Sequence, residues 1–115
     1  MAVIALGIAA CGSSSSSPTT STVLGRQVQQ DCTAISDVLS DGPDPGADPV
    51  GYAQAQVLPL RRLTIGDAAL HRDVLALAAA YQSFSSGSGA GGAAAAAAVA
   101  KAENAVNSIC PQAAP

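Results

Sequence analysis

At 115 residues the chain is the length of one small domain, and its net charge of −3, with five basic residues scattered along it, excludes a nucleic-acid surface, which needs clustered Lys and Arg. Composition is 49% hydrophobic but only 3% aromatic, with no Trp. The apolar content is therefore mostly Ala, Val and Leu, and the strong helix formers Ala and Leu favour an all-α class.

Residues 1–10, Met-Ala-Val-Ile-Ala-Leu-Gly-Ile-Ala-Ala, contain no polar side chain, and Cys11, Gly12 and a serine run follow. A membrane-spanning helix needs about 20 apolar residues, so this run is too short for one. Ile8-Ala9-Ala10-Cys11-Gly12 resembles the lipobox of bacterial lipoproteins. That resemblance implies a signal peptide over residues 1–10, cleavage before Cys11 and a diacylglycerol thioether on its thiol. Small residues before the cut fit a narrow protease site, and the thiol is the nucleophile. Two or more acyl chains hold a protein stably on a bilayer where one holds it marginally. The implied location is the extracytoplasmic face of the cell membrane, with ordinary secretion after an Ala-x-Ala cut as the alternative. The missing basic n-region points to a start upstream of Met1.

Residues 11–22 are then the lipidated cysteine and a Ser/Thr-rich tether. Such a stretch buries no apolar surface and is expected to be disordered, reaching at most ~35–40 Å when extended. Residues 23–111 form the helical domain, and residues 112–115 a disordered tail. From Leu24, the positions Val28, Cys32, Ile35 and Leu39 recur at the spacing of one helix face. Three prolines and two glycines in residues 41–49 end that first helix.

Asp48-Pro49 pairs an N-cap carboxylate with a proline at the first helical position. A second helix follows through Tyr52, Ala53, Val57 and Leu60, and Pro59 predicts a kink or break near Leu58 that frees the Ala55 carbonyl. Thr64-Ile65-Gly66-Asp67 has capping-box spacing and predicts the start of a third helix. Its stripe, Leu70, Val74, Leu77, Tyr81 and Phe84, must face a core. A Ser/Gly stretch over residues 85–92 separates it from a fourth helix. The Ala run at 93–98 has high propensity but nothing bulky to pack, so Val99, Ala102, Val106 and Ile109 carry its apolar face. The expected fold is a small four-helix bundle.

With Cys11 assigned to lipid, Cys32 and Cys110 remain as an even pair in an oxidising compartment and are expected to form a disulfide; two buried free thiols are the alternative. The bridge would tie the first helix to the end of the fourth and requires them to be neighbours. Lone His71 and the lack of CxxC spacing argue against a metal site.

Asp41, Asp44 and Asp48 share one loop, but their spacing does not fit an EF-hand, and turn and cap duty explains them. His71 has no nucleophile or acid patterned around it and falls off the apolar seam, so it is expected at the surface. Arg61, Arg62 and Arg72 suggest a small basic patch, with Asp67 and Asp73 as its counter-charges. The aromatics Tyr52, Tyr81 and Phe84, with the alanines of the second and fourth helices, are core residues by default and candidates for an apolar pocket.

The lipobox with its serine tail, the Ala/Asp/Val-rich composition with one Lys, and the segments Asp48-Pro49-Val50-Gly51-Tyr52-Ala53 and Ser108-Ile109-Cys110-Pro111 resemble small uncharacterised lipoproteins of actinobacteria, particularly mycobacterial ones. The resemblance implies a membrane-anchored module and brings no established activity. Neither an enzyme nor a cofactor is expected. The reading is an envelope-interaction module anchored in the bilayer through acylated Cys11, with an envelope protein as its partner; the alternative is a carrier for a small apolar ligand.

Overall fold

The computed structural model describes residues 16–87 and 91–115, with side chains from residue 25 onward, so the signal peptide 1–10 and lipidated Cys11 lie outside the described residues. Among the described residues there are four helices, α1 (Ser16–Leu39), α2 (Pro49–Arg62), α3 (Ala68–Ser86) and α4 (Ala93–Ile109). The all-α class and the four-helix count agree with the sequence pattern. α3 is central, packing α2 on one side and α4 on the other, while α1 leans on α2. Among the described residues, no helix is long and apolar enough to cross a membrane.

The core is assembled where the periodicity places it. All five stripe residues of α3 are buried, and Ile35, Leu39, Tyr52, Ala53, Leu60 and Val106 join them from the other helices. Val28, Cys32, Val57, Val99 and Ala102 are half-buried.

Several boundaries differ from the sequence expectation. The backbone of α1 starts at Ser16, inside the stretch assigned to the tether; Pro18 falls in its first turn, where a missing N–H costs no hydrogen bond. α2 starts as expected, with the Asp48 Oδ1 accepting from Gly51 N at 2.9 Å and Pro49 next to it. Of the kink or break expected near Leu58, the break does not occur: α2 runs through Pro59 to Arg62. Pro59 is exposed, as is Ala55, so the carbonyl left without a donor is open to water.

The capping box assigned to residues 64–67 does not form either. Thr64 lies outside α3, and Asp67 is the N-cap, its Oδ1 accepting from Leu70 N at 2.8 Å. The cause is Asp31 on α1, whose Oδ1 accepts from Gly66 N at 3.2 Å and whose Oδ2 accepts from Asp67 N at 3.1 Å. A carboxylate from another helix thus takes the donors that a local cap would have satisfied, and α3 starts later.

The disulfide joins Cys32 to Cys110, with Cα atoms 5.4 Å apart across 78 residues. It does so without making α1 and α4 neighbours along their length: Cys110 is the residue capping α4, and the link is made at that end. Residues 112–115, read from the sequence as a disordered tail, turn back onto α4. Gln112 takes the left-handed conformation at φ 64°, and Asn107 clamps Ala114 reciprocally, accepting from its N at 2.9 Å and donating to its carbonyl at 3.2 Å. Ala114 is buried as a result.

Candidate apolar cleft between α2, α3 and α4

Tyr52 on α2 and Tyr81 on α3 meet edge to face, ring centroids 5.8 Å apart at 86°. Each hydroxyl has a partner, as buried tyrosines require. Tyr52 donates to the Leu39 carbonyl at 2.6 Å, tying α2 to the end of α1. Tyr81 donates to Glu103 Oε1 at 3.1 Å, tying α3 to α4.

Beside this pair lies a cleft of about 420 Å³. One wall is Tyr52, Ala53, Tyr81 and Phe84; the facing wall is Ala96, Val99, Ala100 and Glu103 of α4; Pro45, Gly46, Pro49 and the folded-back Pro115 form the rim. The space exists because α4 presents alanine where it faces Tyr52 and Phe84: high helix propensity keeps the element formed while its side chains are too small to reach across. Gly91, at φ 77°, donates to the Phe84 carbonyl at 3.1 Å, a conformation that favours glycine.

Glu103 is the one charged side chain in the lining. Burial pushes its carboxyl above the usual range, only partly offset by the Tyr81 hydroxyl. Burial also raises Tyr81, with the Glu103 charge adding to it, and raises Tyr52, so both phenols stay protonated and act as donors. The cleft can therefore hold an apolar body against aromatic and alanine surface and offer one side-chain carboxylate as acceptor.

The other residues singled out in the sequence are dispersed. Asp44 accepts from Gly46 N at 2.8 Å in a turn and Asp48 caps α2; among the described residues no three metal-ligating side chains gather. His71 is exposed on α3. Arg61, Arg62 and Arg72 are also exposed, and Arg61 donates to Gln82 of α3 rather than to Asp67 or Asp73. Tyr52, Tyr81 and Phe84 are core residues, as the default reading had them, and all three also border the cleft.

Sequence reasoning missed Glu103 and Asp31, although both carry a legible signal. Glu103 is four residues after Val99 and three before Val106; Asp31 is three after Val28 and four before Ile35. An acidic residue inside an apolar stripe is a buried partner in waiting.

Comparison of the chain with family models, with curated proteins and with solved structures found no match.

Proposed function

We propose that the chain is an extracytoplasmic lipoprotein, anchored through acylated Cys11, whose helical domain binds a small, mainly apolar ligand in the cleft between α2, α3 and α4. The observation that carries this reading is the cleft itself: an aromatic wall facing an alanine wall, with one half-buried carboxylate in the lining. A ligand site with this character is concave, mostly apolar and furnished with few polar groups. The lipobox supports the anchor and the actinobacterial resemblance.

The envelope-interaction module draws on less. Leu58 and Leu75 are the large apolar side chains left exposed among the described residues, and two leucines do not make a contiguous patch.

Titrating 1-octanol into the isotope-labelled full chain tests the binding function, with Cys11→Ser replacing the acylated residue. Saturable shifts at the amides of Ala53, Phe84, Val99 and Ala100 are expected; shifts scattered over the surface, or none, would contradict it. The anchor is tested separately by the intact mass of protein purified from host membranes, where a di- or triacylated chain beginning at Cys11 is expected and an unacylated one would refute it.

A further inference from the structure

Resting on that reading, we propose that the ligand is an amine: a primary ammonium group carrying an apolar tail, with the ammonium held by Glu103 and the tail lying between Phe84 and the alanine face of α4. Three observations converge on this class. Glu103 is the single charged side chain of the lining, so the cleft has a negative pole with no cation of its own. The Tyr81 hydroxyl occupies Oε1 at 3.1 Å and fixes the carboxylate against the aromatic pair, leaving its second oxygen as acceptor for a ligand donor. The rest of the lining is alanine, valine, proline and aromatic surface, which suits a hydrocarbon chain and offers nothing to an extended polar molecule.

Charge complementarity then separates the head groups. An ammonium donates charge-assisted hydrogen bonds to a carboxylate, roughly twice as strong as those of a neutral hydroxyl. A carboxylate head would bring a like charge against the half-buried Glu103. The Tyr81 hydroxyl is committed to Glu103 and is not free to receive an anion.

The test is a comparison of octylamine, 1-octanol and octanoate binding to the full chain carrying Cys11→Ser, read by amide shifts at neutral pH, with Glu103→Gln as the companion variant. Glutamine keeps an oxygen for the Tyr81 hydroxyl and removes the charge, so the fold is retained while the recognition is not. Octylamine is expected to half-saturate the cleft at about one-tenth the concentration of 1-octanol, the effect of one charge-assisted contact, with octanoate weakest. In Glu103→Gln the amine-to-alcohol ratio should fall to about one. Equal binding of amine and alcohol by the unsubstituted chain, tighter binding of octanoate, or a ratio that survives Glu103→Gln would overturn the amine assignment while leaving the cleft a binding site. Failure of all three probes to shift the cleft amides would overturn both.

Discussion

At the scale of single residues, two acidic side chains do different work inside the same bundle. Asp31 is buried and holds three donors, Gly66 N, Asp67 N and Gln27 Nε2. Deleting it leaves two backbone N–H groups without their acceptor at the junction where α3 begins. Asp31→Ala is expected to cost about 2–4 kcal/mol, read as a lower denaturation midpoint at unchanged m; a loss below ~0.5 kcal/mol would show that water replaces the carboxylate. Glu103 is the reverse case, since its charge is tolerated rather than needed by the fold. Its native pKa is raised, chiefly by burial, so the stability it contributes is fully present below its unfolded value of 4.5 and is lost as pH rises through the native value. Glu103→Gln, neutral at every pH, should melt above the unsubstituted chain at pH 7, with the gap closing as pH falls to about 4.5. A variant that melts lower at pH 7 would show that the Tyr81 contact outweighs the burial penalty.

Helices and their ends show what a sequence pattern can and cannot deliver. The α3 stripe and the Asp48-Pro49 start are local signals, and they hold because period and cap chemistry depend only on near neighbours. The start of α3 fails because its competitor, Asp31, arrives from a residue 35 positions away. The return of the tail fails for a related reason: Asn107 and Ala114 are close in sequence, yet nothing in a Pro-Gln-Ala-Ala run signals that an asparagine will clamp it. Pro59 sits inside α2 without ending it. A proline on the solvent side of a helix removes one hydrogen bond without breaking the element, so Pro59→Ala should restore the donor to the Ala55 carbonyl and stabilise the domain, by at most ~3 kcal/mol less the ~0.4–1 kcal/mol of freedom returned to the unfolded chain. Thermal melting checks this, and a lower midpoint in the variant would mean that the proline sits in a turn the helix requires.

On the scale of the whole molecule, the bundle is an α2–α3–α4 unit to which α1 adds Ile35 and Leu39 of the core and is tied by Tyr52 at its end, by Asp31 at the start of α3 and by the Cys32–Cys110 bridge. The cysteine count made the bridge legible, whereas the cleft was only half legible. Its aromatic wall and alanine wall follow from composition and period, but the space between them depends on how close α4 approaches α3, and that is set by tertiary packing. The bridge also ties the return of residues 111–115, and hence the Pro115 side of the rim, to α1. Reduction, or Cys32→Ser with Cys110→Ser, should cost up to about 4–5 kcal/mol by the loop-closure argument. A shift in denaturation midpoint under 1 kcal/mol would show that α1 is held by its packing and hydrogen bonds alone.

The most direct test of the binding function is native mass spectrometry of the full chain taken from its own host's membranes, set beside Ala100→Trp, which fills the cleft from the α4 side. The binding account predicts an adduct of constant mass on the unsubstituted protein that is missing from Ala100→Trp. An adduct of the same mass on both, or none on either, would contradict it.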